Sequence, residues 1–150
     1  MATLCGGGGN NPARVDEKGR LKVPADFKRL IDEKYSAEFY ITSRDGRVGE
    51  IYPMEEWRKI EDKLAKLSNF NPSKKKFLNK VNYYGQVVEM DAQGRLLMPQ
   101  ILREAAGIKG DVAVYGNLTY LEVRNLEVSK QLAEEQFTTE DEKTLDELGI

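Results

Sequence analysis

Val15-Asp16-Glu17-Lys18-Gly19-Arg20-Leu21-Lys22-Val23-Pro24 is answered 75 residues later by Met90-Asp91-Ala92-Gln93-Gly94-Arg95-Leu96-Leu97-Met98-Pro99. Asp, Gly, Arg, Leu and Pro recur identically, and Val15/Met90 and Val23/Met98 keep apolar character at matching places. Self-similarity at a fixed offset marks a duplicated structural unit. After each copy comes a short amphipathic segment, residues 25–31 and 100–106, that reads as a helix with proline in its first turn. Gly107 is placed to cap the second of these. Each copy then offers a hairpin: strands 38–42 and 48–52 around the turn 44–47 in the first, and strands 112–115 and 119–123 around Gly116-Asn117 in the second. A unit of about 40 residues buries too little apolar surface to stand alone, so the two copies are expected to share one core.

The repeated turn has a physical logic. Asp16 and Asp91 carry short acceptors that can bond backbone amides two residues on, and Gly19 and Gly94 can adopt a positive φ that a side chain would penalise. Strand alternation then sends Leu21 and Val23 to the core and Arg20 and Lys22 to the opposite face, with Lys18 at the tip. A stiff two-stranded ribbon displaying cations can enter a DNA major groove, where a bidentate guanidinium–guanine contact discriminates by ~1–3 kcal/mol. The competing reading is that Asp16–Arg20 and Asp91–Arg95 merely pair across their turns, an exposed interaction worth ~0.2–1 kcal/mol. Under the 75-residue offset Arg14, Lys18 and Lys22 become Glu89, Gln93 and Leu97, so the first copy is expected to carry most of the nucleic-acid contact. The second, retaining Arg95, is expected mainly to pack or assemble.

The rest of the chain narrows the function classes. At 150 residues it can hide roughly 70% of its unfolded surface. With 40% hydrophobic and 32% charged residues it has no stretch approaching the ~20 apolar residues of a membrane helix. One cysteine, Cys5, allows no internal disulfide, and no secretory apolar run follows Met1, which fits a reducing cytoplasm. The absence of histidine removes the commonest general base and the imidazole half of most zinc sites. A carboxylate metal site fares no better, because Asp16 and Asp91 are each matched to an arginine that would oppose a cation. No catalytic residue, cofactor, metal or small-molecule substrate is therefore expected. Residues 125–150 hold eight acids against two lysines, a charge of −6, which leaves +4 on the body of a chain whose net charge is −2. Such a division keeps a polyanion-binding surface open.

Residues 1–13, with Gly6 to Gly9, read as a flexible lead without the strand and lysine of a phosphate-binding loop. Residues 14–53 and 85–125 are the two repeats, and 54–84 a helical connector. In the connector Pro53 opens a helix with the apolar stripe Met54, Trp57, Ile60, Leu64 and Leu67, and Asn71-Pro72 caps a second. Its Lys74-Lys75-Lys76 triplet reads as a solvated face, with phosphate contact as the alternative. Residues 126–150 form an acidic helix or tail that docks weakly.

Two Asp-x-x-x-Arg turns, each followed by Leu-x-[Val/Met]-Pro, with Tyr-Pro-Met-Glu-Glu-Trp (residues 52–57) after the first hairpin, resemble the MraZ family of bacterial transcriptional regulators. The resemblance runs from Arg14 to about Asn125. The chain departs at its start: the family usually opens with a short Met-Phe-x-Gly strand near the first motif, and here stands Met-Ala-Thr-Leu-Cys followed by four glycines. The resemblance implies an α+β, β-rich fold, a duplicated swapped-hairpin β-barrel of the AbrB-like superfamily with short helices. It also implies ring-like homo-oligomers in the cytoplasm, associated with the nucleoid, that bind double-stranded DNA at direct repeats in the promoter of a cell-division and cell-wall gene cluster. Carried over by position, the family's motif falls on Asp16, Arg20, Asp91 and Arg95. The resulting expectation is a DNA site of Arg20, Lys18, Lys22, Arg14 and Arg95, with Asp16, Gly19, Asp91 and Gly94 holding the turns. The alternative is an AbrB-like interaction module, an antitoxin or adapter, although an antitoxin normally has one copy of the motif and a disordered tail.

Overall fold

Strands β1 (Asn11–Val15) and β2 (Arg20–Lys22) flank the first turn, and α1 (Ala25–Lys34) and the hairpin β3 (Glu38–Thr42)–β4 (Gly49–Pro53) follow. Helices α2 (Met54–Ala65) and α3 (Pro72–Tyr84) lead to the second copy, β5 (Gln86–Glu89), β6 (Arg95–Leu97), α4 (Gln100–Ala106), β7 (Gly110–Asn117) and β8 (Tyr120–Asn125). Helices α5 (Leu126–Ala133) and α6 (Thr139–Glu147) close the chain. This computed structural model describes residues 9–150; residues 1–8, including Cys5 and most of the glycine run, lie outside it. Asn11–Ala13, expected in the flexible lead, instead pair with β7. β7 extends far enough to pair with them, which local sequence alone does not reveal.

The two halves exchange strands. β1 of the first half runs antiparallel to β7 of the second, and β5 of the second runs antiparallel to β3 of the first. On the pseudo-twofold axis β2 lies against β6, with Leu21 opposite Leu96, and β4 against β8, with Glu50 opposite Glu122. The sheet order β5-β3-β4-β8-β7-β1-β2-β6 makes an eight-stranded antiparallel near-barrel whose edge strands, β5 and β6, are joined by the second turn. Alternation puts the apolar residues of both halves inside: Leu21, Leu96, Val23, Met98, Ile41, Ile51, Val114 and Val123 form one cluster with Phe27 and Ile31 of α1 and Leu102 of α4. Full burial of such a side chain stabilises by about 1.5–3 kcal/mol. Because the cluster draws on both copies, the shared core expected from their size is what forms.

The connector is more than a link. Met54 and Trp57 of α2 and Val81 of α3 cover the outer face of β3, β4 and β8, making a second core with Tyr52 and, at its margin, Tyr40, Phe77 and Tyr120. Trp57 stacks on Tyr40 at 4.4 Å between ring centroids and meets Tyr52 at 5.1 Å. Asn71 caps α3 as expected, accepting from Ser73 N at 2.9 Å and Lys74 N at 3.1 Å. Lys74, read as solvated, is buried, and its ammonium donates to Leu67 O at 3.1 Å and Asn69 Oδ1 at 2.9 Å. It closes the α2–α3 corner by bonding one backbone carbonyl just past the end of α2 and one side-chain amide oxygen in the loop between the helices.

The reversal of the second hairpin falls two residues later than the sequence suggests. Gly116 and Asn117 still pair with Leu121 and Tyr120, and the turn is made by Leu118-Thr119. Leu118 takes φ +55°, the one positive φ outside glycine among the described residues. The Asn117 side chain continues the pairing across the strands, donating to Tyr120 OH and Glu122 Oε2. At the C-terminus α5 docks through Ser129, whereas α6 buries no residue.

Candidate nucleic-acid interface

Both motif turns are built from the same bonds. In the first, Asp16 Oδ1 accepts from the backbone amides of Lys18 (3.0 Å) and Arg20 (2.9 Å), and Gly19, at φ +87°, donates its own amide to Asp16 O. In the second, Asp91 Oδ1 accepts from Gln93 and Arg95 at 2.9 Å each, with Gly94 at φ +76°. The other carboxylate oxygen holds the arginine: Arg20 Nε donates to Asp16 Oδ2 and Arg95 Nε to Asp91 Oδ2, both at 2.8 Å. The backbone amide of Arg20 first, and its guanidinium after it, hold the Asp16 carboxyl below the usual aspartate range; the amide and guanidinium of Arg95 do the same for Asp91.

The two readings of the motif thus describe one object. The aspartate does pair across the turn, but only with Nε, and among the described residues the Nη edge of each guanidinium has no hydrogen-bond partner. The arginine side chains keep 31% and 26% of their surface exposed. A guanidinium fixed at one edge and open at the other loses less freedom on binding than a free side chain does.

Tertiary structure redistributes the cations. β2 and β6 pair with Arg20 opposite Leu97 and Lys22 opposite Arg95, so all four lie on the outer face of one ribbon whose turns sit at opposite ends. Diagonal neighbours in such a ladder, as Arg20 and Arg95 are, stand about 7–8 Å apart. Lys22 therefore serves the second turn, where its ammonium bonds the carbonyl of Gln93. Lys18 stays exposed at the first. Arg14, on β1, pairs with Asp111 at 3.0 Å, with both side chains 71% exposed. The strong bias toward the first copy that the sequence offset suggests is thus reduced, because antiparallel pairing carries a cation of one copy to the turn of the other.

Two further residues belong to this surface. A Cβ added to Gly19 would collide with the guanidinium of Arg103 in α4, and one added to Gly94 would meet the Cδ and Cε of Lys28 in α1 at 2.9 Å. Residues 28 and 103 are themselves one repeat offset apart, a signal present in the sequence but concealed by the helical setting.

The family described as "MraZ protein, putative antitoxin-like" matches the chain twice, over residues 8–80 and 85–148. The chain belongs to the MraZ family. The transcriptional regulator MraZ of Acidobacterium capsulatum is 64% identical over 143 residues, covering 95% of this chain and 98% of that protein. That of Koribacter versatilis is 58% identical over 144 residues, with the same coverage of 95% and 98%. That of Haemophilus influenzae is 34% identical over 130 residues, 85% of each chain. MraZ proteins are transcriptional regulators rather than enzymes, and the duplicated α+β fold is the one this MraZ chain adopts. No helix among the described residues is long and apolar enough to cross a membrane.

Proposed function

We propose that this MraZ chain is a sequence-specific DNA-binding regulator, acting as a ring-like homo-oligomer on direct repeats in the promoter of a cell-division and cell-wall gene cluster. Its place is the cytoplasm, in association with the nucleoid. Arg20 and Arg95 contact base edges, Lys18, Lys22 and Arg14 contact phosphates, and Asp16, Gly19, Asp91 and Gly94 hold the turns in shape. The observation that carries this reading is the pair of guanidinium groups clamped at Nε and open at Nη, side by side on the outer face of the β2–β6 ribbon. A two-stranded ribbon fits a B-DNA major groove about 12 Å wide, and guanine N7 and O6 match an arginine edge. A ring that repeats the site would raise affinity through effective concentration where operator repeats match the subunit spacing. The test is a mobility shift on the DNA immediately ahead of the chain's own coding sequence, at two salt concentrations, comparing wild type with Arg20→Ala. Specific binding lost with the melting temperature unchanged supports the proposal; specific binding retained overturns it.

A further inference from the structure

The motif turns are not completed by their own repeats. Arg103, from the second half, lies against Gly19 of the first turn, and its Nε donates to Met98 O at 2.9 Å. The amide of Met98 in turn donates to Gly19 O at 2.9 Å, so turn, strand and guanidinium form one hydrogen-bonded chain. The pseudo-twofold copy follows the same plan: Val23 N donates to Gly94 O at 3.0 Å, and Lys28, from the first half, lies over Gly94. Each glycine thus serves twice, once for its positive φ and once for the room that a side chain from the other half occupies.

We infer that Arg103 and Lys28 are cross-repeat phosphate contacts: each half of the chain supplies a cation to the DNA-reading turn of the other. The inference rests on the reading of the turns as a DNA interface and goes beyond the motif residues. Like Arg20, Arg103 is bonded only through Nε among the described residues, which leaves its Nη edge available beside the first turn. It borders a groove of about 690 Å³ shared with Arg14, Asp16, Glu17, Glu104 and Lys109. Lys28 is the weaker partner, because its ammonium also pairs with Asp32 at 2.6 Å. With these residues the cations come to Lys18, Arg20 and Arg103 at the first turn and Lys22, Arg95 and Lys28 at the second. The two ends of the ribbon thus carry three cations each.

The experiment measures affinity against salt for the full chain, on the DNA ahead of its own gene and on a random-sequence duplex of equal length. The variants are Arg103→Met, Arg103→Lys, Lys28→Met and Arg20→Ala. Each lost phosphate contact changes the slope of log K against log salt by about 0.9, which is close to a tenfold loss of affinity at about 0.1 M salt. Arg103→Met should show that change on both duplexes, Arg103→Lys should restore the slope, and Lys28→Met should show a smaller change of the same kind. A loss with unchanged slope that lysine does not rescue would make Arg103 a structural clamp and overturn the inference. So would wild-type affinity and slope in Arg103→Met while Arg20→Ala abolishes specific binding. Full specific binding by Arg20→Ala would instead overturn the underlying DNA reading.

Discussion

Gly19→Ala and Gly110→Ala make a matched pair that isolates the packing of Arg103. Both glycines have positive φ, +87° and +60°, so an alanine at either pays the left-handed strain of ~1–2 kcal/mol, offset by the ~0.4–1 kcal/mol gained from a stiffer unfolded chain. The net is about 1 kcal/mol at each. They differ in surroundings: a Cβ at Gly110 meets nothing within 4 Å, whereas at Gly19 it displaces the Arg103 guanidinium and breaks its bond to Met98 O. The guanidinium can swing aside, so the added cost is that of one hydrogen bond, ~0.5–1.5 kcal/mol. Gly19→Ala should therefore lose about 2 kcal/mol and Gly110→Ala about 1 kcal/mol. At ~2–4 °C per kcal/mol for a chain of this size, that is roughly 4–8 °C against 2–4 °C in melting temperature. In an Arg103→Ala background Gly19→Ala should cost no more than Gly110→Ala, a coupling of about 1 kcal/mol in a double-mutant cycle. Urea or thermal unfolding of the four proteins and their wild type measures it. Equal losses at the two glycines, or no coupling with residue 103, would refute the cross-repeat contact.

Three other perturbations test other parts of the fold. Trp57→Ala removes the ring that stacks on Tyr40 and Tyr52, and should cost about 3–5 kcal/mol and collapse the near-ultraviolet circular dichroism; an unchanged spectrum would mean the second core is not formed. Burial raises the Glu50 carboxyl above the ordinary glutamate range, opposite Glu122, so its ionised form costs stability at neutral pH and that cost fades as pH falls through the raised value. Glu50→Gln should therefore raise the melting temperature at neutral pH and make no difference near about pH 4, where the unfolded carboxyl protonates; destabilisation at neutral pH would show that the Tyr52 hydroxyl, donating at 2.9 Å, and the exposed Arg44 partner at 3.6 Å together outweigh burial. Removing residues 136–150 deletes α6, which buries no side chain, and should shift the melting temperature by under about 2 °C; a larger fall would reveal docking of that helix.

Features legible in the sequence are those closed within a few residues. Asp16, Gly19 and Arg20 bond one another across a five-residue turn, Asn71 caps the helix that starts beside it, and alternation alone puts Leu21 inside and Arg20 outside. Turn and cap chemistry is local, so the residues announce it. The place of Lys22 at the second turn, the burial of Lys74 and the seating of Arg103 on Gly19 were decided only by tertiary structure. Each depends on contacts made outside the local motif, and for Lys22 on the register that sets it opposite Arg95. A register between distant strands is chosen by which apolar faces bury together, here Leu21 against Leu96, and the charged residues on the other face follow passively. Sequence by itself determined that there would be two stiff turns with an arginine in each; the shared core determined that both would face the same way.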